Sequence, residues 1–201
     1  MIVIIDYGMG NLRSVQKALE KVGGKTQITQ NTDDIKQADK IVLPGVGAMK
    51  PAMDKLTELG LIDSIKIAAK SGKPFLGICL GLQLLFEKSD EGGDVTGLGL
   101  LKGRVVRFSN DEKVPHMGWN QLNILKTDCP LFNGVDALSN TYFCHSYYVS
   151  PSDNVTATST DYGITFTSSV WKDNIFGVQF HPEKSQATGL KILENFTRIK
   201  L

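Results

Sequence analysis

Between Pro74 and Phe86 the chain reads PFLGICLGLQLLF, an uncharged stretch in which an apolar run passes through Gly77-Ile78-Cys79-Leu80-Gly81 into a helical spacing at Leu80, Leu84 and Leu85. A continuous apolar run followed by period 3.6 predicts a buried strand, a tight turn and a helix. The two glycines let the turn sharpen and the helix pack close to the strand, which would hold the Cys79 thiol above a sheet edge in the manner of a nucleophile elbow. A helix starting beside Cys79 would add unpaired N–H groups that favour thiolate and a developing oxyanion. Taken alone, Cys79 reads more readily as an inert core cysteine, and what shifts the balance lies a hundred residues downstream.

The same alternation of apolar run and helical spacing recurs. Ile2–Ile5 precedes Leu12, Val15, Leu19 and Val22, and residues 40–43 (KIVL) end in Pro44-Gly45-Val46-Gly47 before helical spacing over 49–59 and 61–69. Strands alternating with helices predict an α/β fold, a three-layer, mostly parallel sheet flanked by helices. From Asp90 onward glycines cluster and short alternating runs at 104–108, 140–145, 154–159, 164–171 and 175–180 predict an antiparallel extension, closed by a helix over 187–199. No repeat or linker interrupts the chain, so residues 1–201 are expected to form a single domain. Gly8-Met9-Gly10 has Arg13 in the third glycine position, and Gly24-Lys25-Thr26 has Leu19 in the first, so neither nucleotide-binding motif is complete.

A formal net charge of +1 without a block of Lys or Arg argues against nucleic acid or an anionic membrane as partner, leaving a small substrate or another protein. Three cysteines, Cys79, Cys129 and Cys144, without a C-x-x-C pair disfavour a disulfide framework and a structural zinc site. A reducing, cytoplasmic setting is expected. The opening MIVIID, with Asp6 and no basic lead, reads as a strand and not a signal peptide, and no segment is long enough to span a bilayer.

Downstream, Phe180-His181-Pro182-Glu183 sets a carboxylate two residues after a histidine at the end of a predicted strand. With Cys79 these supply the nucleophile, base and orienting group that covalent acyl transfer requires. No third ligand stands at a metal-binding spacing, and neither a metal nor another cofactor is expected.

The motifs Pro44-Gly45-Val46-Gly47, GICLGLQ over 77–83 and Phe180-His181-Pro182-Glu183, in that order, resemble the oxyanion loop, nucleophile elbow and His-x-Glu ending of the class I, or triad, glutamine amidotransferases. The resemblance covers essentially the whole chain. It implies hydrolysis of L-glutamine by Cys79, His181 and Glu183, with an oxyanion hole from the backbone N–H groups of Gly47 and Leu80. It also implies glutamine contacts from Gln83 and from His145-Ser146-Tyr147. Asp6-Tyr7-Gly8-Met9-Gly10-Asn11-Leu12, Pro115-His116-Met117-Gly118-Trp119-Asn120 and HPEKS over 181–185 narrow the likeness to members that pass ammonia to a (β/α)8-barrel cyclase subunit in histidine biosynthesis. Asn11, Trp119, Tyr142 and Lys184 are similar to the residues facing that partner. Trp119 is expected to be an aromatic anchor in a polar loop. Three alternatives stay open: a triad glutaminase serving another synthase, a cysteine peptidase or esterase on a similar sheet, and a non-catalytic interaction subunit.

Overall fold

A computed structural model describes residues 1–109 and 111–200. In chain order β1 (Ile2–Ile5), α1 (Leu12–Lys21), β2 (Thr26–Thr29), α2 (Thr32–Gln37), β3 (Lys40–Gly45), α3 (Met49–Glu58), α4 (Ile62–Lys70), β4 (Phe75–Cys79) and α5 (Leu80–Leu84) make up the α/β half. The second half holds β5 (Phe86–Ser89), β6 (Val95–Thr96), β7 (Leu101–Arg107), β8 (His116–Gln121), β9 (Asn123–Ile124), β10 (Asn140–His145), β11 (Tyr147–Pro151), β12 (Thr156–Tyr162), β13 (Ile164–Lys172) and β14 (Ile175–Val178). Helix α6 (Gln186–Arg198) closes the fold.

Strands β2, β1, β3, β4 and β14 lie side by side and parallel. The sheet continues antiparallel through β13, β11 and β7, after which β5 pairs parallel with β7 and β6 antiparallel with β5. The uniform apolarity of the early strands follows from burial on both faces. Val3, Ile5, Ile41 and Leu43 pack with Ile35, Leu56 and Ile65 of the helices α2 to α4. Their neighbours Ile2, Ile4, Val42 and Ile78 face the other way, onto Val15 and Leu19 of α1 and Leu193 and Phe196 of α6. At about 1.5–3 kcal/mol per buried aliphatic side chain, uncovering either face would cost as much as the whole stability of an ordinary domain. The helices on both faces are therefore as necessary as the sheet.

Register places the functional loops together. Gly45 of β3 is level with Cys79 of β4, and Val178 of β14 with Ile78, so three adjacent strands end at one edge. Ligands in open α/β sheets bind at such carboxyl ends.

Two local expectations are corrected. The helix after Cys79 is a single short turn, because all five residues of α5 are buried and leave no solvent face for an amphipathic pattern; Phe86 already starts β5. Residues 116–121 are a strand instead of a polar loop. Strand β8 pairs antiparallel with β10, apart from the main sheet, which sets Met117 and Trp119 on one outward face. Strand β2 and helix α2 add to the expected elements; both are short, and the half-buried β2 carries no period that would mark it.

Candidate active site

Cys79 is the last residue of β4 and the residue before α5, and it carries φ 55° and ψ −109°. A non-glycine residue in that region costs about 1–3 kcal/mol and persists only where its surroundings force it. The surroundings are the flanking glycines. A β-carbon on Gly81 would run into the carbonyl of Leu43 in β3, and one on Gly77 would lie 2.7 Å from the Gly81 oxygen and 2.8 Å from the Leu82 nitrogen. The turn is thus pressed onto β3 by backbone contact alone, and the thiol is thrown to the end of the sheet.

His181 reaches the same point from the neighbouring strand. Its Nδ1 lies 2.9 Å from Glu183 Oε1, and the two side chains are only 5% and 2% exposed. Nδ1 being taken, Nε2 is the ring nitrogen left for Cys79, which lines the same cavity. Burial pulls the imidazole pKa down, but hydrogen bonds to Cys79 and Glu183 and the negative charge of both raise it to about 10. The arrangement favours the imidazolium form of His181. The backbone is clamped: His181 N–H donates to the Tyr142 carbonyl at 2.8 Å, while Ser185 Oγ donates to the His181 carbonyl at 2.6 Å and accepts from Tyr142 N–H at 2.9 Å.

Cys79 and His181 open on a cavity of about 170 Å³ whose wall includes Val46, Gly47, Leu80 and Gln83. A larger cleft of about 620 Å³ along Lys66, Glu87, Lys88 and Arg104 shares no lining residue with it and contains no thiol or imidazole. Gln83, which could have faced solvent from its helix, is buried and donates through Nε2 to the Tyr147 carbonyl at 3.0 Å. His145 and Tyr147 line the cavity; Ser146 does not, and its carbonyl accepts from Phe108 N–H at 3.2 Å. Gly47 holds φ 97°, a conformation open to glycine.

Two residues that the sequence left unremarked belong here. Glu91 lines the cavity, and its Oε2 accepts from Met49 N–H at 2.9 Å, capping α3, whose N-cap residue Ala48 offers no side-chain acceptor. Burial pushes the Glu91 carboxyl up, against the opposing hydrogen bond from Met49. Gln179, fully buried, donates through Nε2 to Cys79 Sγ at 3.7 Å. The only local cue is position, since Glu91 follows an acidic residue in a glycine-rich turn and Gln179 stands two residues before the histidine.

Of the four residues with an expected partner role, three cluster. Trp119 is 47% exposed and meets the Tyr142 ring edge-on at 6.1 Å, and Lys184 Nζ stands 5.7 Å from the centre of that ring. Asn11 caps α1, its side-chain oxygen accepting from Ser14 N–H at 3.3 Å.

Beneath this surface two histidines form a neutral pair. His145 Nδ1 lies 2.8 Å from the Tyr147 carbonyl and must donate, so its Nε2 accepts from His116 Nδ1 at 3.0 Å; His116 Nε2 then accepts from Asn120 Nδ2 at 3.3 Å. Burial lowers the pKa of His116 to about 4 and, with a smaller opposing bond to Tyr147, that of His145 to about 3. Unfolded, both take up protons near pH 6.5, whereas folded they do not. Their contribution to stability is therefore whole above about pH 6.5 and falls on acidification towards pH 4, by up to about 1.4 kcal/mol per pH unit for each ring. His181, charged in both states below pH 6.5, adds nothing in this window. Urea midpoints measured between pH 7 and 4.5 should drop steadily; a flat profile would mean that the rings accept protons without cost.

The fold and this site define an α/β protein with a cysteine, a histidine and a carboxylate gathered at the ends of adjacent parallel strands. The chain belongs to the class I glutamine amidotransferase family, whose model matches residues 3–199. It is 56% identical to the imidazole glycerol phosphate synthase subunit HisH of Syntrophotalea carbinolica, over 98% of each chain. It is 50% identical to the subunit of the same name from Methanocaldococcus jannaschii, over 99% of this chain and 100% of the relative. Among solved structures it resembles PurLQS from Thermotoga maritima, with a TM-score of 0.78 at 20% identity over 97% of this chain and 96% of that one. It likewise resembles a glutamine amidotransferase with a TM-score of 0.76 at 17% identity, over 98% and 99%. Among the described residues no helix is long and apolar enough to cross a membrane.

Proposed function

We propose that this chain is the glutaminase subunit of imidazole glycerol phosphate synthase, hydrolysing L-glutamine to glutamate and ammonia and delivering the ammonia to a (β/α)8-barrel cyclase subunit in the cytoplasm. The observation that carries the chemistry is that Cys79 and His181 line one small cavity, with His181 hydrogen-bonded through Nδ1 to the buried Glu183. The Cys79 thiolate attacks the side-chain carboxamide carbon, and the oxyanion is received by backbone N–H groups of Leu80 and Gly47. His181 gives its proton to the departing nitrogen, leaving a glutamyl thioester. Water then attacks that thioester with His181 as base, and the thiolate leaves as glutamate is released. Glu183 holds the imidazole in the tautomer that serves both steps.

Glu91 supplies the charge that an α-ammonium group requires. Glu91→Gln keeps an oxygen for Met49 and removes the charge. It is expected to raise KM for glutamine about tenfold or more while kcat changes little, the loss of one charge-assisted hydrogen bond. Steady-state assays over a range of glutamine concentrations decide it, and an unchanged KM would remove Glu91 from substrate binding.

Trp119, Tyr142 and Lys184 form the partner-facing patch in this reading, with Asn11 beside the first loop. The turn that follows β3 at Val46-Gly47, with Gly47 at φ 97°, lets the partner control the oxyanion hole. A chain whose resting loop turns an N–H away from the cavity is short of a donor worth a factor of about 10²–10³. Ammonia release should therefore rise roughly a hundredfold when the cyclase and its nucleotide ligand are added to the chain. Equal rates for the chain alone, with empty partner and with loaded partner would overturn that coupling.

A further inference from the structure

The side chain of Gln179 bridges the two groups that the proposed chemistry depends on. It follows β14, its backbone N–H donates to the Ser168 carbonyl at 2.9 Å, and its side chain is sealed from solvent between Cys79 and Gln83. The direction of its amide is fixed by its neighbours. Gln83 sits 3.0 Å from the Tyr147 carbonyl, which can only accept, so the Gln83 atom there is Nε2. That same Nε2 is 3.1 Å from Gln179, so the Gln179 atom facing it is Oε1. The remaining atom, the Gln179 NH₂ group, faces the Cys79 sulfur at 3.7 Å. The Tyr147 carbonyl that starts this series is itself pinned by His145 Nδ1–H at 2.8 Å. An amide flip at Gln179 would set its oxygen against a thiolate and its NH₂ against that of Gln83, two repulsive contacts in a buried site.

Resting on the reading of Cys79 as nucleophile, we propose that Gln179 is a catalytic residue: its side-chain N–H is the second hydrogen-bond donor to the sulfur, beside His181, while its carbonyl oxygen holds Gln83 toward the substrate. A thiol sulfur accepts weakly and a thiolate strongly, so the donor acts in the charged form. Its importance is greatest when His181 is engaged elsewhere. Once the imidazole has passed its proton to the leaving nitrogen, and again while it acts as base on water, the sulfur must depart from the thioester carbon carrying the electron pair of the broken bond. Gln179 is then the side-chain donor still directed at it.

Two variants separate the two roles. Gln179→Glu keeps an oxygen for Gln83 and replaces the donor with an acceptor; Gln179→Met keeps the length and removes both. The readout is carboxamidomethylation of Cys79 by iodoacetamide at pH 7 without glutamine, followed by intact mass and peptide mapping, alongside kcat and KM with the cyclase partner. Both variants are expected to alkylate at least about tenfold more slowly than the wild type and to lose kcat in step. KM should rise chiefly in Gln179→Met, where Gln83 loses its acceptor. Wild-type alkylation rates in folded Gln179→Glu, checked by thermal melting, would overturn the proposal. Should that variant fail to fold, the rate in Gln179→Met decides by the same criterion. Wild-type protein whose Cys79 alkylates no faster than Cys129 and Cys144 would overturn the nucleophile reading and the proposal together, whereas a fast wild type with unaffected variants would overturn the role of Gln179 alone.

Discussion

Cys79→Ala is expected to lower ammonia release from glutamine by a factor on the order of 10⁴ or more, with the fold retained, because removing a covalent nucleophile leaves only binding and oxyanion contacts. Cys79→Ser should fare little better. A hydroxyl is far harder to ionise than a thiol, and its shorter bond to the β-carbon draws the oxygen back from His181 and Gln179. Neither change touches the packing that shapes the turn, which comes from Gly77, Gly81 and β3. The partner supplied with ammonium salts should therefore still make product at the wild-type rate, which isolates the loss to the glutaminase step. A second readout lies in His181, whose pKa is raised by Cys79 and Glu183 against its burial. Without the thiolate its titration should move down, and an NMR titration of the ring follows this directly. Near-normal turnover in the serine variant would mean that no thioester forms.

The sequence was most legible where one residue type served one purpose. Runs such as Ile2–Ile5 and Phe75–Cys79 are apolar throughout because each side chain is buried on one of two covered faces, so β1, β3 and β4 and the helices α1, α3 and α4 could be read directly, whereas β2 and α2 could not. Gly77 and Gly81 could be read too, since a strand that turns at once into a helix needs backbone contact that only glycine allows. The second half was harder. Strand β10 has the boundaries that its alternation predicts, yet it joins β8 and not the main sheet, and local period says nothing about the partner of a strand. His116 and His145 gave no sign of being a buried neutral pair, because their bonds to each other and to Asn120 and Tyr147 depend on that pairing.

The side chains around the sulfur divide in the same way. Cys79, His181 and Glu183 stood out through residue type and spacing, since few arrangements place a thiol after a strand and a carboxylate two residues past a histidine. Gln179 and Glu91 carry no such mark. Each is a common polar residue whose role depends on burial and on partners far along the chain, Gln83 for one and Met49 for the other. The short α5 also shifts weight between causes. One helical turn has little macrodipole to offer, so stabilisation of negative charge at Cys79 falls to the imidazolium, to Gln179 and to individual N–H groups such as that of Leu80.

Gly81→Ala is expected to cost about 3 kcal/mol or more and to abolish glutamine-dependent synthesis through loss of the fold, in contrast to Cys79→Ala, which keeps it. The added methyl meets the carbonyl of Leu43, and no flexible side chain stands between them to give way. Strand β3 cannot retreat, since it is hydrogen-bonded to β1 on one side and β4 on the other, and the Tyr7 hydroxyl is packed against Gly45 at its end. The turn must lift instead. Lifting it opens the tight contact of Gly77 with the Gly81–Leu82 peptide, carries the Leu80 N–H away from the cavity and releases the strained φ of Cys79. Even the fraction that folds would then lack an oxyanion donor and lose a further factor of about 10² or more in rate. Gly92→Ala is the matched control. Its β-carbon would meet nothing within 4 Å, and its φ of 76° should cost only about 1 kcal/mol. Urea midpoints of the two variants beside the wild type test the difference. Equal, small losses would show that α5 can shift without harm and that the glycines of the turn are a matter of backbone freedom and not of contact with β3.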